Sequence, residues 1–450
     1  MTKSIAETKS VRDVPVSQRI STLPATNLDD AVRVCDPFTP LDPTVDAALR
    51  EDLNAVRGGD RLARIIRNIR RSGGIPTLHF LGGHLGSGKT TELLRMRHRL
   101  LSAEGGAALS MRVLFVDADV LLNRHDVDLE DILVALWSVV SRDAPEAATK
   151  VLRAIWTDQI RGVLKDIVVN LPSEMTEALG KVVGELRLPG LEQRKTVRGK
   201  LGSVMSALVN GLNGALASMR QETGETIVFV IDNLEKLSQG QRESVERLYL
   251  ERMGALKDLD AHLVITVPIY LCYAAAGAGL TGLYGGEVVV LPMVKVRRRV
   301  ADGGSDDAAG VHAMAELLQK RVRFDALFER GAEAAAEIGR MSGGCIRHAL
   351  RMIQGAVNEH DFPPVTAASV QRAAASLQAD FERALPEPWV PVLKAVAREN
   401  RFPDDCDENI KRDLLRNLFV LEYENGEPDP WYAVHPLVER CRKYREHGGA

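Results

Sequence analysis

Residues 77–97 read TLHFLGGHLGSGKTTELLRMR. An apolar run, Leu78 to Leu81, meets a stretch in which Gly82, Gly83, Gly86 and Gly88 fall within seven residues, and Lys89, Thr90 and Thr91 follow at once. From Thr90 onward the apolar residues recur at helical spacing. Gly83 to Thr90 satisfies G-x-x-x-x-G-K-[ST], placed as its chemistry requires between a strand and a helix. Chance alone would give the pattern on the order of one or two times in a hundred chains of this length. Glycines let the backbone wrap until successive N–H groups, with the helix N-terminus, face phosphate oxygens. The stretch therefore predicts a nucleotide site formed by Gly83, Gly86, Ser87, Gly88, Lys89, Thr90 and Thr91. Lys89 would neutralise the β and γ phosphates, and the Thr90 hydroxyl would ligate Mg²⁺, so the cofactors expected are ATP and Mg²⁺.

Outward from this loop the chain alternates strand and helix. MRVLFVDAD (111–119) is a second strand candidate, TIVFVID (226–232) a third, HLVITV (262–267) a fourth and EVVVLPMV (287–294) a fifth. Their near-continuous apolar character suits strands buried on both faces of a parallel sheet. Residues 142–222 interrupt the series with apolar residues at three and four (Leu201, Val204, Met205, Leu208, Leu212), predicting an inserted helical hairpin. N-terminal to the loop, residues 1 to about 35 are polar and unpatterned, a predicted mobile leader. CDPFTPLDPTVD (35–46) reads as an extended arm, and a helix is expected over 47–72. Beyond Val294 the sheet pattern stops. KVRRRVADGGSDDAAG (295–310) has the composition of a hinge, and GRMSGGCIRHALRMIQGAVNE (339–359) joins two amphipathic helices through a glycine pair.

Composition excludes other classes. At 450 residues the chain fits two or three domains. No run of about 18 apolar residues is present and the N-terminus lacks a signal-peptide apolar core, which predicts a cytoplasmic protein without a membrane partner. The five cysteines lie far apart, offering neither a zinc pattern nor a disulfide framework. A net charge of -3 provides no global field for nucleic acid.

Metal-bound phosphate also needs a carboxylate on a neighbouring strand. Asp232 ends the third apolar run, where an aspartate is costly unless it meets a cation. It is the expected second Mg²⁺ ligand beside Thr90, although an aspartate there can also cap the next helix. Thr266, ending the fourth run, could contact the γ-phosphate or the attacking water, although threonine is common in strands.

This order of parts resembles the AAA+ ATPases, in the branch joining origin-recognition-like initiators to STAND-type signalling NTPases. The resemblance rests on Gly83 to Thr90, the strand ending at Asp232, Thr266 in the sensor-1 position, and Gly343-Gly344-Cys345-Ile346-Arg347 in a helical lid, and it spans residues 47 to 360. It implies an α/β P-loop NTPase of AAA+ type: a parallel sheet with a helical insertion, a helical lid and a C-terminal winged helix. The implied divisions are a leader and arm (1–46), an ATPase core (47–294) with its insertion (142–222), a lid (295–374) and a winged-helix-like domain (375–450). Arg347 takes the role of sensor 2, reaching the γ-phosphate.

Two departures bear on catalysis. Where the family places glutamate after the strand aspartate, this chain has Asn233, and Glu235 becomes the nearest group to polarise water, as in STAND and KAP-like variants. No arginine or lysine occurs in PIYLCYAAAGAGLTGLYGG (268–286), where ring-forming relatives carry an arginine finger. Arg242, Arg247 and Arg297 to Arg299 are the available stand-ins. Slow ATP hydrolysis without a partner is therefore expected.

Near the C-terminus, DENIKRDLLRNLFVLEYENGEPDPWYAVHPLVERC reads as a helix, two strands about the turn at Glu424 to Glu427, and a closing helix, resembling a winged helix. Residues 381–450 hold 11 Lys and Arg against 14 Asp and Glu, a net of -3. Glu422, Glu424, Glu427 and Asp429 on the wing would face phosphates; Lys411, Arg412 and Arg416 argue the other way. The reading favours an ATP-dependent regulatory switch, possible as a homo-oligomer, that controls a partner effector protein, similar to ATPases of bacterial anti-phage defence operons. The alternative is a DNA-binding AAA+ ATPase, an initiator or transposition-type loader, using the winged helix.

Overall fold

Strands form where apolar runs were expected: β1 (Leu78–Gly83), β2 (Met111–Asp117), β3 (Thr226–Asp232), β4 (His262–Thr266) and β5 (Glu287–Leu291). They make one sheet in the order β2-β3-β4-β1-β5. The β2–β3, β3–β4 and β4–β1 pairs are parallel, with Asp117 opposite Asp232, Val230 opposite Val264, and Leu81 opposite Thr266. Phe80, Phe229, Val230 and Val264 are fully buried. A strand buried on both faces has no polar side to alternate with, which explains its unbroken apolar sequence. This computed structural model describes residues 15–102, 110–123, 125–187, 190–236, 242–273, 277, 279–282, 287–426 and 430–446. The chain divides into two units, Leu62–Gly82 with Met96–Val290, and Met1–Arg61 with Gly83–Arg95 and Leu291–Ala450.

The first of these units carries the sheet. Helix α1 (Leu62–Arg71) precedes β1, and α2 (Lys89–Leu101) follows the glycine loop. A single helix over 47–72 does not form. The chain instead makes short turns at Ala47–Leu49 and Ala55–Arg57 and starts α1 at Leu62, because Gly58 and Gly59 take φ values of 71° and 113° that no right-handed helix accommodates.

Between β2 and β3 the expected hairpin is a larger helical assembly: α3 (Leu129–Asp143), α4 (Glu146–Ile155), α5 (Met175–Arg187), α6 (Leu191–Ser203) and α7 (Met205–Thr223). A capping box begins α3. Asp128 accepts from Leu129 N–H at 2.8 Å, and Asp131 accepts from Asp128 N–H at 3.0 Å. The same carboxylates tie neighbouring segments together. Arg198 on α6 reaches Asp126 and Asp131, while Arg252 reaches Asp128 and Glu130. At the centre, Trp137 is fully buried and its indole N–H donates to Leu208 O at 2.8 Å. Its ring lies directly on the backbone of α7: a Cβ at Gly211 would stand 2.3 Å from Trp137 Cζ2.

In the other unit the chain is packed from Pro15 onward, where a mobile leader is expected over residues 1 to about 35; residues 1–14 lie outside the described residues. A short helix at Leu28–Val34 buries Leu28, Ala31 and Val34, and Ala25 pairs with the chain at Arg321 and Arg323 through backbone hydrogen bonds of 2.8 and 2.9 Å. The lid helices are α8 (Ala308–Gln319), α9 (Gly331–Met341), α10 (Ile346–Val357) and α11 (Ala367–Ala384). Residues 295–310 are pinned, where a free hinge was expected. Arg297 pairs with Asp306 in a backbone bridge and binds Glu439 through both terminal nitrogens (2.8 and 2.5 Å), and a Cβ at Gly310 would overlap Lys295 O.

The C-terminal element comprises α12 (Val390–Glu399), α13 (Glu408–Arg416), the antiparallel strands β6 (Val420–Tyr423) and β7 (Trp431–Val434), and a short helix at Pro436–Glu439. Asn400, left-handed at φ 55°, ends α12 and bonds both the N–H and the carbonyl of Tyr432 at 2.9 Å. Glu427 and Asp429, two of the four acidic wing residues, lie outside the described residues. The other two do not face solvent. Glu422 and Glu424 are buried, and Glu424 sits 2.6 Å from Arg61. Sequence counting assigns all four to the surface because it cannot see Arg61, more than 350 positions away, neutralising one of them.

The Trp137–Gly211 contact gives a direct test of the helical core. Gly211→Ala is expected to destabilise the protein by about 1–3 kcal/mol through overpacking. Urea unfolding would show a lowered midpoint at unchanged m-value.

Candidate nucleotide-binding site

The glycine loop has the backbone that its sequence implies. Gly83, Gly86 and Gly88 adopt φ of 147°, 84° and 95°, the region in which a Cβ is strained. Space is as limiting as conformation. A Cβ at Gly83 would lie 2.7 Å from Leu291 O, and one at Gly86 would lie 2.7 Å from Arg347 Cβ and 3.0 Å from Cys345 Sγ. Lys89, 5% exposed, opens α2 and donates from Nζ to Gly83 O (2.9 Å) and His84 O (3.1 Å). An ammonium held by two carbonyls of a loop at a helix N-terminus is poised to exchange them for phosphate oxygens. Thr90 follows it, half-buried, while Thr91 accepts at Oγ1 from Leu41 N–H (3.2 Å), fixing the N-terminal arm to the start of α2.

Two arginines stand against the loop. Arg347, beginning α10, lays its stem on Gly86, and its guanidinium lies 5.5 Å from the centre of the Phe38 ring. Arg57, 2% exposed, donates to Ser87 O at 2.5 Å and stands 3.9 Å from Glu92. The sequence reading missed Arg57 because it placed the residue inside a continuous helix; the following glycine pair was the available signal. Among the described residues, the buried Ser87 Oγ, Arg57 Nε and Arg347 Nε have no hydrogen-bond partner. All three can donate. Leaving a buried donor unmet costs about 1–3 kcal/mol, and a phosphate-rich ligand supplies the matching acceptors. The residues present therefore fit a nucleoside triphosphate.

Asp232, Asn233, Glu235 and Thr266 belong to the sheet unit. Asp232 is fully buried at the end of β3. Asn233 adopts a left-handed φ of 63° and donates from Nδ2 to Asp117 Oδ1 at 2.8 Å. Asparagine tolerates this turn where glutamate would be strained, a physical reason for asparagine at this position. Half-buried Glu235 lies in the next short helical turn, Leu234–Lys236, near the buried Tyr249. Strand β4, ending in Thr266, separates β3 from β1. The Thr266 hydroxyl accepts from Leu234 N–H (3.0 Å) and donates to Ile231 O (3.4 Å), bracing the backbone on both sides of Asp232. Of the arginine-finger stand-ins, Arg247 is paired with Asp128 and Arg297 with Glu439; the Arg242 side chain lies outside the described residues.

With a glycine phosphate loop between β1 and α2, and β4 inserted between the β1 and β3 strands, the chain has an α/β P-loop fold of AAA+ type. No family model and no curated protein sequence matches it. Among solved structures it is similar to the Aeropyrum pernix ORC2 protein (12% identity over 85% of this chain and 90% of that one, TM-score 0.40). A Walker-type ATPase of Pyrococcus abyssi (13%, 85% and 95%, 0.41) and Cdc6p from Pyrobaculum aerophilum (13%, 94% and 98%, 0.38) are comparably similar. The fold assignment rests on the sheet order and the loop geometry. No described helix is long and apolar enough to cross a membrane.

Replacing Lys89 removes the charge that the loop carbonyls hold. Lys89→Ala is expected to abolish ATP binding in isothermal titration while leaving the circular dichroism spectrum unchanged.

Burial also sets a pH limit. It pushes the imidazoles of His84 and His348 down to about 3 and holds that of His435 well below the usual histidine value. Their folded values lie below the unfolded value near 6.5, so the unfolded chain takes up protons that the folded chain refuses. Stability contributed by these groups is intact above about pH 6.5 and falls as the pH drops below it, by up to about 1.4 kcal/mol per pH unit for each histidine. Calorimetry is expected to show a lower melting temperature at pH 5 than at pH 7.5.

Proposed function

We propose that this chain is an ATP-binding regulatory ATPase, a switch that passes its nucleotide state to a partner effector protein. One observation carries the reading: Arg347, at the start of lid helix α10, is packed on Gly86 of the phosphate loop and keeps a buried Nε–H without a partner among the described residues. A γ-phosphate that meets this nitrogen would give ATP contacts that ADP lacks, and such differential affinity is what shifts a conformational equilibrium. In this reading Lys89 binds phosphate, Thr90 and Asp232 are the Mg²⁺ ligands, Glu235 orients water, and Thr266 holds the turn that carries Asp232. Bound Mg²⁺ would neutralise charge building on the phosphates.

The rest of the proposal follows from what the site residues are doing. Asn233 is committed to a left-handed turn, and Arg247 and Arg297 to ion pairs within the chain, which supports slow turnover in the absence of a partner. A homo-oligomer driven by an arginine finger gains no support from them. The C-terminal element, taken as a winged helix, serves protein contact or autoinhibition. A DNA-loading role is the weaker reading: Lys411 lies over the Phe402 ring and Arg412 pairs with Asp413. Resemblance to STAND-type ATPases supports a place in anti-phage defence, with the effector on another chain.

The test is nucleotide discrimination. Arg347→Ala is expected to weaken ATP by tenfold or more, the order of one charge-assisted hydrogen bond, and ADP by much less. Equal losses for the two nucleotides in isothermal titration would show that the γ-phosphate is not read here.

A further inference from the structure

We infer that His84 is a positioning residue through which the C-terminal element sets the conformation of the phosphate loop, so that α13 and β6 are a required part of the nucleotide site. The inference rests on the nucleotide reading of the loop and extends it to a residue at one of the motif's variable positions.

His84 is 1% exposed. Its Nδ1 lies 3.0 Å from Leu415 O and its Nε2 2.9 Å from Glu422 N. One arrangement satisfies both: a neutral ring that donates from Nδ1–H to Leu415 O and accepts the Glu422 N–H at Nε2. Each bond meets a need of the C-terminal element. Leu415 lies in the last turn of α13, where carbonyls lack partners inside the helix; its carbonyl is met by Leu418 N–H at 3.4 Å, and His84 adds the shorter bond. Glu422 is a position of β6 whose main chain turns away from β7, and its carbonyl accepts from Met293 N–H at 3.0 Å.

On its main-chain side, the same residue holds the phosphate-binding lysine, because His84 O accepts from Lys89 Nζ. Adjacent loop residues are engaged in parallel. Leu85 O receives Cys345 Sγ at 3.8 Å, and Gly86 carries the Arg347 stem. Strand β6 touches the lid as well. Tyr423 donates its hydroxyl to Gly343 O at 2.8 Å, and a Cβ at Gly343 would stand 2.5 Å from Leu421 Cδ1.

The loop thus has its ammonium on one side of His84 and the C-terminal element on the other. Phosphate oxygens compete with Gly83 O and His84 O for Lys89, and a rigid, fully hydrogen-bonded imidazole transmits any turn of that peptide to Leu415 and Glu422. A histidine that only filled space would make no such link.

The experiment uses the full chain, with ATP and ADP titrations and amide hydrogen exchange over residues 408–434. His84→Ala removes both hydrogen bonds. His84→Asn places its side-chain amide where Nδ1 stood, keeping the Leu415 bond and losing the Glu422 one. In the wild type, ATP is expected to change exchange at Glu422. In His84→Ala, ATP affinity is expected to fall about tenfold, on the order of a lost buried hydrogen bond, and exchange across residues 415–423 to rise and stop responding to ATP. His84→Asn is expected to recover part of the affinity while Glu422 still exchanges fast; it carries the test alone if the alanine variant does not fold. Wild-type ATP affinity in both variants, or exchange at Glu422 that still follows ATP, would overturn the role of His84. Failure of the wild type to bind ATP at all would instead overturn the nucleotide reading, and the inference with it.

Discussion

Close approach of glycine backbone to neighbouring segments around the phosphate loop is the constraint from which the site follows. At Gly83 the backbone passes so near Leu291 O, at Gly86 so near Arg347, and at Gly344 so near Val294 O (1.8 Å from an ideal Cβ) that no side chain fits. Two of these glycines belong to the loop and one to the lid turn, and each makes room for the end of another segment. Loop, lid turn and the chain after β5 are therefore held by shape before any hydrogen bond is counted. The polar contacts, Lys89 on two carbonyls and Arg57 on a third, act on a backbone already confined.

Much of the sheet was legible in the sequence, because residues buried on both faces leave an unbroken apolar run whose ends are sharp: Thr226 to Asp232 was read to the residue. The loop was legible for a different reason, since its chemistry fixes residue type and spacing together. What escaped the reading was set by distant partners. The N-terminal segment looked unpatterned, yet Ala25 finds its hydrogen bonds at residues 321 and 323. Composition made residues 295–310 look like a hinge, and Glu439 holds them through Arg297. Local periodicity carries no trace of such pairings.

Charge counting failed in the same way. A net charge over the C-terminal residues treats every carboxylate as solvated, whereas Glu422 and Glu424 are buried and Arg61 stands beside one of them. The field that a partner meets is set by the charges left outside, and its sign follows from burial more than from composition. The site residues beyond the loop divided likewise: Asp232 lies where a strand-ending carboxylate was expected, while the Thr266 hydroxyl is occupied with the backbone that presents it.

The two-stranded sheet of the C-terminal element is too small to hide its own edges. A short antiparallel pair presents two free edges, each a template for a foreign strand. Here Asn400 covers the outer side of β7, and His84 with Met293 covers that of β6. At Glu422 and Tyr432 the outward main chain is therefore met from within the same chain, by side chains and loops that cannot themselves propagate a ladder. A foreign strand reaching Glu422 or Tyr432 would have to displace these internal partners, and two strands of four residues each are held in place by the same contacts.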